Sequence, residues 1–60
     1  MQEFQQVKEL IAQVEGDIAK CEAGNKAAGT RVRKQMQDIK RACQAVRDKV
    51  MTLRGEDAEE

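Results

Sequence analysis

Apolar residues recur along this chain in alternating steps of three and four, and this spacing constrains the fold more than any other feature. It places the apolar side chains on one stripe of an α-helix and is typical of the a and d positions of a coiled coil. The spacing is interrupted once, near residue 24, which predicts two helices rather than one. The predicted seam and oligomer core consists of Phe4, Val7, Ile11, Val14 and Ile18 in the first helix and of Val32, Met36, Ile39, Cys43, Val46, Val50 and Leu53 in the second.

The interruption carries the local signals of a tight turn between two helices. Gly24 can adopt the left-handed conformation that ends a helix. Asn25 can accept a hydrogen bond from the free amides at the start of the next helix. The predicted hairpin domain, residues 1–54, therefore has a helix over about residues 2–22, a turn over residues 23–25 and a helix over about residues 26–54.

An alternative turn would span residues 24–30, with Thr30 as the N-cap of the second helix. It places Gly29 outside a helix interior, where glycine costs about 1 kcal/mol relative to alanine. It leaves the helix-compatible residues 26–28 unexplained, so we favour the earlier start. The acidic residues 55–60 contain no side chain that could pack, and we expect them to be disordered.

A hairpin built from 60 residues is a single domain with a small buried surface. Two narrow stripes that face each other cover each seam on one side only, so we expect self-association. The predicted fold is all-α: an antiparallel two-helix hairpin with heptad seams, assembling as a dimeric four-helix bundle or a higher oligomer. The absence of proline and the 37% of charged residues agree with long helices.

Composition also excludes several functional classes. The chain has no histidine and only two cysteines, so most metal sites and the usual nucleophile arrangements lack their residues. We expect no enzyme activity, no cofactor, no metal and no small-molecule substrate. The spacing of Cys21 and Cys43 matches no zinc or redox motif, and both are expected to be free thiols. No apolar run is long enough for a membrane span and no signal peptide is evident, which favours a cytoplasmic protein without a membrane partner.

The charges of the chain sum to zero but are unevenly distributed. Residues 1–23 carry five acidic and two basic side chains, a net charge of −3. Residues 24–54 carry nine basic and two acidic side chains, a net charge of +7, and the remaining residues add −4. Such asymmetry between segments indicates a polyanionic partner or charge pairing between helices.

A row of cations at seven-residue intervals allows both of these interpretations. The row contains Lys26, Arg33, Lys40, Arg47 and Arg54, and Arg31, Lys34, Arg41 and Lys49 widen it. As a functional surface, it would follow the phosphates of a nucleic acid. As a structural feature, it would form interhelical salt bridges in the hairpin register, pairing Lys26 with Glu22, Arg33 with Glu15, Lys40 with Glu9 and Arg47 with Glu3. Arg31, Lys34 and Arg41 fall outside this pairing because their positions should face solvent.

The run from Gly24 to Lys34, followed by Met36-Gln37-Asp38-Ile39-Lys40, resembles the signature of the bacterial linker-histone-like family of small nucleoid proteins, the chlamydial-type group and its short relatives. The resemblance is specific over residues 24–40 and extends as a helix pattern over about residues 4–54. It implies a DNA-binding, chromosome-organising role. The family's basic motif positions fall on Lys26, Arg31, Arg33 and Lys34. Chlamydial-type members carry a long basic tail where this sequence is acidic, so strong condensation of DNA by this chain alone is not expected.

Together these observations predict a histone-like, nucleoid-associated protein that binds duplex DNA through phosphates without sequence preference. It should act as a homo-oligomer, with a dimer favoured, in the cytoplasm. The alternative is a structural coiled-coil module that oligomerises and binds no nucleic acid. A steep dependence of DNA binding on salt would distinguish the two. The candidate DNA-binding residues are Lys26, Arg31, Arg33, Lys34, Lys40, Arg41 and Arg47.

Overall fold

The computed structural model describes residues 1–55, which form two α-helices joined by a three-residue turn. Helix α1 spans Gln2–Glu22 and helix α2 spans Lys26–Arg54. The described part of the chain contains no strand, which confirms the prediction of an all-α protein.

The two helices pack side by side and run in opposite directions. Asp17 of α1 forms an ion pair with Arg31 of α2. Nearer the turn, a Cβ atom added to Gly29 would lie 3.4 Å from the Cys21 Sγ. In both contacts the two residue numbers sum to about 49, which defines the antiparallel register. In this register the N-terminal end of α1 lies beside about residue 47, so the final turns of α2 extend beyond α1.

The turn is closed by backbone hydrogen bonds that leave few amides unpaired. Gly24 has a φ of 102°, and its N–H donates to the Cys21 carbonyl at 3.0 Å. The Asn25 N–H donates to the Lys20 carbonyl, also at 3.0 Å, which completes a Schellman motif at the end of α1. The Asn25 side chain then accepts from the Ala28 N–H at 3.0 Å and caps α2. Because this cap is formed, α2 begins at Lys26 rather than at the alternative start near Thr30.

Helix α2 ends at a second glycine in the left-handed conformation. Gly55 has a φ of 73°, and its N–H donates to carbonyls of the last helical turn. The predicted disordered tail lies, apart from this glycine, outside the described residues.

The core between the helices is narrow. Within residues 1–55, only Val7, Val14 and Ala28 are buried. Phe4 and Ile11, which belong to the same predicted stripe, are 52% and 43% exposed. The inward side of α1 is completed instead by Leu10 and Asp17, which are half-buried. A single partner helix can cover only part of an apolar seam. Here α2 covers one flank of the seam of α1.

Helix α2 shows the same division of its apolar stripe. Val32, Ile39 and Val46 are half-buried against α1, whereas Met36 is 41% exposed and Cys43 is exposed. The remaining seam residues follow the division as well. Ile18 and Val50 are half-buried, and Leu53, on the extension of α2, is exposed.

The seam residues that the partner helix leaves uncovered lie on one face of the hairpin, as helical geometry requires. At about 100° per residue, the residues three before or four after a buried position lie on one flank of the helix contact. In an antiparallel pair, the same rotational flank of both helices points to the same side. The apolar face defined in this way contains Phe4, Ile11 and Ile18 from α1 and Met36, Cys43 and Val50 from α2. The ion pair between Asp17 and Arg31 lies on the opposite face, which we call the bridged face.

Candidate nucleic-acid interface

Helix α2 presents a line of exposed cations that we call the cationic ridge, composed of Lys26, Arg33, Lys34, Lys40 and Arg47. From Lys26 to Arg47 the ridge extends about 32 Å along the helix axis, at 1.5 Å per residue. All five side chains are exposed, and within residues 1–55 none of them forms an ion pair or a side-chain hydrogen bond. The ridge therefore keeps its positive charge available to an external anion.

The four interhelical salt bridges that the charge pattern allowed are absent from the described residues. Their absence follows from the direction in which the helices face each other. Lys26 and Arg33 lie at the outer edge of the apolar face on α2, whereas Glu22 and Glu15 lie at its outer edge on α1. The width of the hairpin separates these edges, so the side chains do not meet within one chain.

Arg31 is exposed, as the sequence pattern predicted, but it also binds across the hairpin. Its Nε and Nη2 donate to the two carboxylate oxygens of Asp17, at 3.2 and 3.0 Å. The hydrogen bond from Arg31 lowers the pKa of Asp17 below its usual 3.8, with a smaller contribution from the Gln35 side chain. The same contact raises the pKa of Arg31. Arg31 therefore acts first as a clasp between the helices, and its charge is partly neutralised.

Sequence reasoning missed Asp17 as the partner of Arg31 because the position of Arg31 was expected to face solvent. A usable signal was present, since the two residues have opposite charges and satisfy the antiparallel register. Next to this pair, the Gln35 side-chain carbonyl is buried without a hydrogen-bond partner.

Arg41 was also expected to be free, but it forms an ion pair within its own helix. Its Nη1 lies 3.1 Å from the Asp38 Oδ1, and both side chains are exposed to solvent. Exposed pairs of this kind contribute about 0–1 kcal/mol, so a phosphate can replace the carboxylate at little cost. Arg41 thus remains available to an anion, whereas Arg31 is held by a bidentate contact.

No aromatic side chain accompanies the ridge on α2. Phe4 is the chain's one aromatic residue, and it lies on α1 with the Lys8 ammonium 5.7 Å from its ring centroid. Stacking of unpaired bases needs aromatic platforms, and sequence readout needs side chains that reach base edges. The described residues therefore offer contacts to phosphates.

Two other kinds of feature, metal-binding clusters and membrane-spanning helices, do not occur in the part of the chain that the structure describes. No group of three potential metal ligands occurs there. Neither described helix combines the length and hydropathy needed to cross a bilayer. Both thiols are free: Cys43 lies on the apolar face and Cys21 lies beside Gly29 near the turn.

Comparison with known proteins places this sequence in a family. No curated protein and no solved structure shows significant similarity to the chain. Residues 1–56 match the family described as Histone H1-like protein Hc1, so both helices and the whole cationic ridge lie within the match. The family is one of histone-like structural proteins, not of enzymes, and this confirms the expected absence of catalytic activity. Since the match covers nearly the entire sequence, the chain belongs to the bacterial histone H1-like Hc1 family, as its resemblance to linker-histone-like proteins predicted.

Proposed function

We propose that the protein binds duplex DNA through phosphate contacts along the cationic ridge and contributes in this way to the organisation of the nucleoid in the cytoplasm. The observation that carries this proposal is the exposed, unpaired state of the five ridge side chains. Had they been locked to glutamates of α1, the charge pattern would have had a purely structural explanation. Membership of a histone H1-like family supports the same conclusion.

The shape of the ridge favours binding without sequence preference. Lys26, Arg33, Lys40 and Arg47 form a row along one helix with successive members about 10.5 Å apart, and Lys34 lies about 100° around the helix from Arg33. Lysine and arginine at such positions can reach phosphate oxygens, which carry no direct sequence information. We expect each hairpin to make about three to five phosphate contacts, with Arg41 able to join the ridge when it leaves Asp38.

We further propose that the hairpin, residues 1–54, functions as a homo-oligomer, most simply a dimer. The apolar face leaves Phe4, Ile11 and Met36 between 41% and 52% exposed in a protein with three buried side chains among its described residues. Contiguous exposed apolar surface of this kind marks an interaction site. The same observation supports the second candidate function, a coiled-coil module that oligomerises and binds no DNA.

A matched pair of double variants separates these functions. Lys34→Gln with Lys40→Gln removes two charges from the ridge, and Lys8→Gln with Lys20→Gln removes the same two charges from α1. In electrophoretic shifts on a duplex near 100 mM salt, the ridge variant should bind about a hundredfold more weakly, since each lost phosphate contact costs about tenfold under these conditions. The control should bind within about threefold of wild type.

Helical content measured by circular dichroism should be the same in both variants, because none of the four lysines forms an ion pair in the described hairpin. Equal affinities for the two variants would place DNA elsewhere on the protein. If wild type gives no shift even at low salt, the oligomerisation module is the correct function.

A further inference from the structure

The apolar face and its two charged edges define a surface with a particular pattern. Along its α2 edge lie Lys26 and Arg33, and along its α1 edge lie Glu22 and Glu15. All four side chains are exposed, and none forms an ion pair within the described residues. An apolar strip bordered by opposite charges on its two sides is self-complementary under a two-fold rotation.

We infer that the apolar face binds a second copy of this chain, with α1 of each copy lying over α2 of the other. The inference rests on the self-association part of the proposed function and adds to it the surface, the arrangement and the charge contacts. It does not depend on DNA binding. The two-fold axis runs parallel to the helices, so the turns of both copies lie at the same end of a four-helix bundle.

The register of the hairpin fixes the contacts in this arrangement. Rotation about an axis parallel to the helices does not change the position of a residue along the bundle axis. Each residue of α1 therefore lies opposite the same residues in α2 of the second copy as in α2 of its own chain. Glu15 then lies opposite Arg33 of the second copy, and Glu22 lies opposite Lys26 of the second copy. Both glutamates meet the cations that they cannot reach within one chain.

The competing arrangement places α2 over α2 and α1 over α1. It brings the two cationic ridges together at the edge of the bundle, and like charges at such positions are unfavourable. In the arrangement with α1 over α2, one like-charge approach occurs, between Lys8 and Lys40 of the second copy. The Lys8 ammonium is directed toward the Phe4 ring, which moderates this approach.

The arrangement has a consequence for the cationic ridge. In the dimer, Lys26 and Arg33 are engaged by carboxylates of the second copy, and Lys34, Lys40 and Arg47 remain for an external anion. Self-association and phosphate binding therefore share the turn-proximal end of the ridge and compete for it.

Charge reversal in two separate chains tests the inference. One variant carries Glu15→Lys and Glu22→Lys, and the other carries Lys26→Glu and Arg33→Glu. Alone, each should self-associate at least about tenfold more weakly than wild type, because the two contacts between a glutamate and a cation at each edge become repulsive. Mixed in equal amounts, they should form a heterodimer within about threefold of wild-type affinity, because each edge again faces its opposite charge. Sedimentation equilibrium and native mass spectrometry measure both results.

A control and two contrary outcomes complete the experiment. Glu9→Lys reverses a single charge on a side of α1 that points away from the apolar face, and it should self-associate like wild type. A mixture that associates no better than the single variants would overturn the arrangement. A wild-type protein that stays monomeric at about 100 μM, or that binds anionic vesicles in place of a second copy, would overturn the whole inference. Failure of the wild-type protein to bind DNA, alongside formation of the heterodimer, would refute the proposed function and leave this inference standing.

Discussion

Replacing Ile11 by alanine tests the two-sided use of the apolar stripe, and Val14→Ala is its matched comparison. Val14 is 2% exposed in the hairpin, so its truncation removes about two buried methyl groups and costs about 1.5–3 kcal/mol including the cavity. Ile11 is 43% exposed, so in a single hairpin its truncation removes about half of the corresponding burial and costs about 1 kcal/mol. In a bundle that covers the apolar face, the same truncation costs about 2–5 kcal/mol.

Thermal unfolding followed by circular dichroism at two protein concentrations, about a hundredfold apart, separates these contributions. The Tm of wild type should rise with concentration, because association stabilises the folded state by mass action. Val14→Ala should lower the Tm at both concentrations. Ile11→Ala should lower it modestly at the low concentration and should lose most of the rise at the high one. If the Tm of Ile11→Ala rises with concentration as much as that of wild type, the apolar face is not where the copies meet.

The remaining predictions concern the backbone, the clasp and the thiols. Gly16 lies within α1 with no atom near an added Cβ, so Gly16→Ala should stabilise the fold by about 0.5–1 kcal/mol, measured by thermal unfolding. Gly24→Ala should instead destabilise it by about 1–2 kcal/mol, because the φ of 102° disfavours a side chain. Because binding to Arg31 lowers the pKa of Asp17, this contact stabilises the fold above pH 4 and is lost as the pH falls through the lowered value; Asp17→Asn should make acid unfolding less steep. Cys43 is a free thiol, so a reductant should leave the mass of the native assembly unchanged in sedimentation.

Local chemistry is strong where the chain turns, and this part of the hairpin could be predicted from the sequence. Gly24 and Asn25 each favour one backbone role, and the structure shows both roles in the hydrogen bonds that end α1 and begin α2. Once the turn position is known, the antiparallel register follows from chain geometry. The same register pairs Asp17 with Arg31, although Arg31 was expected to have no partner on the other helix.

The direction in which each helix faces its partner could not be predicted with the same accuracy. The direction in which an apolar stripe points is an average over all the apolar residues of a helix, including those that do not contact the partner helix. In this chain, α1 turns one flank of its stripe toward α2 and leaves Phe4 and Ile11 outside. A rotation of this size moves Arg31 into contact with Asp17 and moves Lys26 and Arg33 away from the glutamates of α1. Whether the ridge was paired or unpaired therefore depended on packing that a single sequence does not specify.

The salt dependence of DNA binding by the wild-type protein tests the proposed function most directly. Affinity should be measured by fluorescence anisotropy on two duplexes of equal length and unrelated sequence, from about 50 to 300 mM salt. With about three to five phosphate contacts for each hairpin, log affinity should fall by about 3–5 for each unit of log salt, and the two duplexes should give the same slope. A slope near zero, or an affinity that differs strongly between the duplexes, would contradict phosphate binding by the cationic ridge.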